Sequence, residues 1–90
     1  HEGTRALDNG AMGVVVPHVD TAEEARGVAA AYRFPPAGHR SWGGPPFAYG
    51  LQAPPPAEAQ AELNREILVA CMVETPEAVR NAAEIAAVPG

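Results

Sequence analysis

Glu74 is the residue best placed to do chemistry. It follows an unbroken apolar run, Ile67-Leu68-Val69-Ala70-Cys71-Met72-Val73, and precedes Thr75-Pro76-Glu77. Thr75 suits an N-cap, and Pro76 suits the first helical position, where a missing N–H costs nothing. A carboxylate between a buried strand and a helix start opens into a cleft shared with neighbouring strand ends. It suits a hard divalent cation, whose other ligands are waters and substrate oxygens. The same position equally serves a plain helix cap. His18 holds the corresponding place after a second apolar run, Gly13-Val14-Val15-Val16-Pro17. There it is either a base or substrate contact, or a loop histidine satisfied by backbone. Arg40, beside His39, either meets a substrate carboxylate, which guanidinium binds in bidentate fashion, or pins its own loop. Cys71 sits among apolar neighbours and reads as a small core residue, not a nucleophile.

The elements that carry these residues alternate. Arg5 to Leu7 read as the tail of a helix closed by Asn9-Gly10, with glycine at the left-handed C′ position. Gly13–Val16 is a β-branched run of the kind buried on both faces in a parallel sheet, and Pro17 ends it. Thr21 with Glu24 fits a capping box, and Ala25, Val28, Ala29 and Tyr32 give the following helix a narrow apolar stripe. Pro35-Pro36 stops that helix. Residues 34–56 form a long Pro- and Gly-rich connection, a length that marks a functional or disordered segment. Within it Trp42-Gly43-Gly44 fits a wall over a cleft or a subunit contact. A short helix is expected over Ala57–Asn64, a strand over Ile67–Val73, and a helix over Thr75–Val88 whose buried face is Ala78, Ala82, Ile85 and Ala86. The remaining acids, Glu23, Glu58, Glu62, Glu77 and Glu84, read as solvated helix faces and first-turn charges.

This βαβα order implies an α/β fold with parallel strands. Two parallel strands leave open edges and exposed apolar faces, so the chain is expected to be an internal piece of a larger barrel or sheet.

Composition removes several classes. The 90 residues carry a formal charge of -5, and all six basic residues are arginine. An acidic chain with scattered arginine offers no electrostatic footprint for nucleic acid. The longest apolar run is far short of the ~20 residues that span a bilayer, so no membrane partner is expected. A single cysteine forms no internal disulfide, and no Cys/His spacing suits structural zinc, which points to a reducing, cytoplasmic compartment.

Four segments in order resemble one family. Leu7-Asp8-Asn9-Gly10-Ala11-Met12-Gly13-Val14-Val15-Val16-Pro17 is similar to the strand-four entry of the HpcH/HpaI aldolase and citrate lyase family. Asp20-Thr21-Ala22-Glu23-Glu24-Ala25 resembles its next helix. Tyr32-Arg33-Phe34-Pro35-Pro36-Ala37-Gly38-His39-Arg40-Ser41 resembles its Tyr-Pro-Pro-x-Gly-x-Arg segment, and Val73-Glu74-Thr75-Pro76-Glu77-Ala78-Val79 its strand-five motif. The likeness runs from about Arg5 to the end of the chain.

The resemblance implies a piece of a (β/α)₈ TIM barrel, strands four and five with their helices, covering residues 1–90 as an incomplete domain. It implies a class II aldolase that makes or cleaves carbon–carbon bonds next to a 2-oxo acid, joined to an aldehyde, by way of a pyruvate enolate. Glu74 takes the role of metal ligand for Mg²⁺ or Mn²⁺, with Co²⁺ or Zn²⁺ as alternatives. Arg40 and Met72 fall at substrate-binding positions. Met72 departs from the glutamine that many such aldolases carry there, and methionine donates no amide hydrogen bond. The family's catalytic histidine and anchoring arginine lie before His1 and its second metal carboxylate beyond Gly90, so no catalytic residue is expected here and the piece alone is expected to be inactive. A Gly-Pro-x-Asp motif soon after Gly90 would nearly settle the resemblance. The full-length protein is expected to be a homo-oligomer. Two other readings stay open: a citrate-lyase-like acyl-CoA lyase, and a non-catalytic half-barrel that associates through its apolar edges.

Overall fold

Asn9-Gly10 closes the first helix as its residue types require. In the computed structural model, which describes residues 2–44, 49, 50, 52 and 54–90, helix α1 spans Glu2–Asp8. Gly10 takes φ 109°. Its N–H reaches the Leu7 carbonyl at 3.1 Å, and the Ala11 N–H reaches Ala6 at 3.0 Å. These two bonds make a Schellman motif, and the positive φ favours glycine.

Strand β1 spans Gly13–Val16 and strand β2 spans Leu68–Cys71. They pair in parallel with Gly13 opposite Leu68 and Val16 opposite Cys71. Gly13 permits the approach, because a β-carbon there would stand 3.1 Å from both the Leu68 Cβ and its carbonyl oxygen. The expected strand over Ile67–Val73 is therefore too long. Its partner stops at Val16, since Pro17 has no N–H to offer a ladder. The Met72 N–H still donates to the Val16 carbonyl at 2.8 Å, and beyond it Val73 has no paired strand among the described residues.

Helix α2 spans Ala22–Tyr32, with the Thr21 hydroxyl oxygen accepting from the Glu24 N–H. Half of the capping box forms in the usual sense. The Glu24 carboxylate accepts the Thr21 hydroxyl at 3.3 Å rather than reaching back to a backbone donor. Helix α3 spans Pro56–Glu66, longer at both ends than Ala57–Asn64.

The single helix expected over Thr75–Val88 is two: α4 over Pro76–Arg80 and α5 over Ala82–Ala86. The break falls at Asn81, with φ -98° and ψ 7°. Its side-chain amide donates to the Asp20 carbonyl at 2.9 Å. Asparagine makes this local trade readily, which is why it weakens a helix interior. Ala78 and Ile85 are buried as expected, whereas Ala86 is exposed.

Two apolar clusters lie against one face of the sheet. At the strand starts Leu7, Phe34, Leu63 and Ile67 pack together beneath Val14 and Val69. At the strand ends Val19, Ala25, Ala78 and Ile85 pack beneath Val16 and Cys71. The opposite face carries Val15 and Leu68, exposed at 66% and 65%. Two parallel strands with helices on one side make this an α/β arrangement.

Candidate functional site

The two strand ends are joined to each other by polar contacts. The Glu74 Oε2 accepts the His18 backbone N–H at 2.9 Å. The Thr75 hydroxyl donates to Asp20 Oδ1 while its oxygen accepts the Ala78 N–H at 3.0 Å. With the Asn81 amide on the Asp20 carbonyl, three residues after β2 grip the β1–α2 loop. Glu74 is thus held over the mouth formed by both strands, its side chain one-third exposed. Its Oε1 has no hydrogen-bond partner among the described residues.

His18 adopts φ 57°. Its imidazole is 77% exposed, with Nδ1 3.9 Å from Glu74 Oε2, beyond hydrogen-bond reach. Among the described residues the imidazole bonds no backbone group, so the backbone-satisfied alternative does not form, and what His18 gives Glu74 is its own amide. Met72 lies two residues before Glu74 with its side chain exposed. It belongs to the sheet face of Val15 and Leu68, away from the helices.

Arg40 is elsewhere. Its side chain is 1% exposed, and Nη2 contacts Asp8 Oδ1 at 2.7 Å. Its guanidinium carbon stands 4.4 Å above the Phe34 ring. Asp8 precedes β1 and Phe34 belongs to the strand-start cluster, so Arg40 stands at the opposite end of the sheet from Glu74. A four-residue strand separates those ends by roughly 13 Å. This placement matches the loop-pinning alternative, and the structure does not bring Arg40 and Glu74 together. Trp42 also packs there, edge-on to Phe34 at 5.6 Å, which removes it from the mouth. The His39 backbone N–H bonds the Ala30 carbonyl at 2.8 Å while its side chain stays exposed. Cys71 is half-buried, and burial pushes its thiol pKa up, as for a packing residue.

Asp20 and Asn81 position the site without a visible motif, while Asn64 and Arg33 fasten the strand-start end of the sheet. Asn64 exchanges two hydrogen bonds with the Phe34 backbone. Buried Arg33 donates to the carbonyls of Asn64, Ile67 and Gly90. Burial also lowers its guanidinium pKa, but from so high a starting value that the charge is kept.

Among the described residues no three of His, Cys, Asp and Glu gather around one point. Glu74 is therefore a single carboxylate donor, a set that fits a cation completing its shell with water and substrate oxygens. No helix among the described residues is long and apolar enough to cross a membrane.

The family model described as HpcH/HpaI aldolase/citrate lyase matches residues 1–90. The chain belongs to the HpcH/HpaI family. It is 39% identical over 94 residues to a 4-hydroxy-2-oxovalerate aldolase of Novosphingobium aromaticivorans, covering 96% of this chain and 32% of the relative. It is 37% identical over 84 residues to a hydroxypyruvate/pyruvate aldolase of Chromohalobacter salexigens, covering 93% and 33%. A 2-dehydro-3,6-dideoxy-6-sulfogluconate aldolase of Pseudomonas putida matches at 37% over 94 residues, covering 96% and 33%. The chain spans about a third of the length of these curated relatives of the HpcH/HpaI family.

Proposed function

We propose that the protein containing this chain is a divalent-metal-dependent aldolase acting on 2-oxo acids and aldehydes. In this reading β1 and β2 are the fourth and fifth strands of a (β/α)₈ barrel, and Glu74 is a ligand of Mg²⁺ or Mn²⁺. The observation that carries it is the Glu74 carboxylate, held at the junction of two strand ends with one oxygen unengaged. The names of the relatives, aldolases of hydroxypyruvate, pyruvate and other 2-oxo acids, support the substrate class. A bound divalent cation supplies a Lewis acid that draws electron density from a 2-oxo acid's carbonyl.

The residues of this chain do the rest of the work assigned to it. Glu74 contributes negative charge at a partly exposed mouth, where a small anionic substrate and a cation meet. The His18 amide fixes one carboxylate oxygen. Asp20 and Thr75 hold the two loops in register, so the carboxylate keeps its position as substrate enters. Met72 lines the approach with an apolar thioether, which shapes the pocket but gives a substrate oxygen no N–H.

Calorimetric titration of the full-length protein with Mn²⁺ tests this, beside an assay of pyruvate release. Glu74→Gln should weaken Mn²⁺ beyond the roughly 10–100-fold that loss of an outer-shell partner costs. Aldol cleavage should fall on the order of a hundredfold or more. Unchanged Mn²⁺ binding in Glu74→Gln defeats the proposal.

A further inference from the structure

We infer that His18 is a positioning residue for the Glu74 carboxylate, acting through its backbone N–H and left-handed conformation rather than its imidazole. The inference rests on Glu74 holding a cation, as proposed above, and adds which oxygen the cation meets.

His18 is the one non-glycine residue with positive φ among those described. That conformation crowds a β-carbon and persists only where surrounding contacts enforce it. Here they come from both sides. Pro17 has just ended β1, and Val19 is buried at 2% exposure against Ala25, Ala78 and Ile85. Asp20, the next residue, is bound by Thr75 and Asn81. The chain must therefore turn within one residue from strand to core, and that turn points the His18 N–H at Glu74 Oε2. The imidazole is left outside, 77% exposed.

With Oε2 committed to an amide, Oε1 is the oxygen left for a cation. Glu74 would then offer a cation Oε1 as its more open oxygen, which suits a small hard ion such as Mg²⁺. A carboxylate free to rotate would also offer both oxygens, which suits larger ions. The left-handed turn at residue 18 thus contributes to metal affinity, and to the choice of metal, without a ligand atom of its own.

The test is Mn²⁺ titration of full-length wild type, His18→Gly, His18→Ala and His18→Val, each checked for folding by circular dichroism. All keep the backbone N–H, and the three variants lack imidazole. They differ in tolerance of the left-handed region. His18→Gly and His18→Ala, neither more crowded there than histidine, should bind within about threefold of wild type, while the β-branched His18→Val weakens by on the order of tenfold. Should Val fail to fold, His18→Thr, also β-branched, carries the same contrast. Gly as weak as Val overturns the inference in favour of the imidazole, and uniform wild-type affinity overturns it outright. Glu74→Gln run in parallel separates the two levels. Loss there with an unaffected His18 series sinks the positioning role alone, whereas unchanged binding in Glu74→Gln sinks the cation reading beneath it.

Discussion

Asp20 Oδ1 accepts the Thr75 hydroxyl across 55 positions of sequence, and that same hydroxyl oxygen caps α4. One side chain thus starts a helix and joins two strand-end loops, with Glu74 as its immediate neighbour. Thr75→Val removes both bonds while keeping the shape. It should lower stability by about 1–2 kcal/mol, the usual worth of a cap. Thr75→Ser should restore most of that loss. Urea denaturation measures it, and equal stability of Val and Ser would refute the account. Mn²⁺ affinity should fall along with stability in Val and return in Ser.

Arg40 gives a second test. Its guanidinium is enclosed, paired with Asp8 and stacked on Phe34. Arg40→Ala should destabilise by roughly 2–5 kcal/mol through the enclosed volume it removes beside Phe34, since the Asp8 left behind is half exposed. Asp8→Ala should cost about 1–3 kcal/mol, because it leaves the enclosed Arg40 guanidinium without its carboxylate. Mn²⁺ binding by Asp8→Ala should match wild type. A raised KM with unchanged melting in Arg40→Lys would instead assign Arg40 to substrate.

Two glycines make opposite predictions for the same substitution. A β-carbon on Gly38 would stand 2.6 Å from the Arg33 carbonyl oxygen and closer still to that of Ala30. The backbone has no room to yield, since the His39 and Arg40 N–H groups bond the carbonyls of Ala30 and Arg33. Gly38→Ala should cost at least about 1–3 kcal/mol. A β-carbon on Gly27, within α2, meets nothing within 4 Å. Gly27→Ala should stabilise by about 0.5–1 kcal/mol. Thermal melts of the two variants check both signs.

Burial raises the Cys71 thiol above its ordinary value. The folded state therefore holds the thiol proton more tightly than the unfolded chain. The associated stability is present below the unfolded thiol's pKa and is lost as pH rises through the folded value. At pH 8 iodoacetamide should label native Cys71 more slowly than the urea-unfolded chain, since only thiolate reacts. Equal rates would contradict the burial described.

Much of this architecture was legible in the residues. Gly13–Val16, Thr21, Gly10 and Thr75-Pro76 announced a strand, two caps and a turn through local chemistry, which acts within a few positions. Glu74 was legible from its place between an apolar run and a cap. The errors share one cause. The length of β2 depends on where β1 stops, and the break at Asn81 depends on the Asp20 carbonyl, 61 positions away. The loop-pinning place of Arg40 was one of two alternatives in the residues, but its partners Asp8 and Phe34 do not mark themselves. The His18 amide left no trace in side-chain identity, because every residue but proline carries the same donor.

Arg33 gathers carbonyls from the end of α3, the entry to β2 and Gly90 around one flat group of atoms. A lysine ammonium spreads its donors tetrahedrally and falls short of three acceptors arranged in this way. In a chain written without any lysine, this position is one where the common exchange between the two cations is closed by geometry.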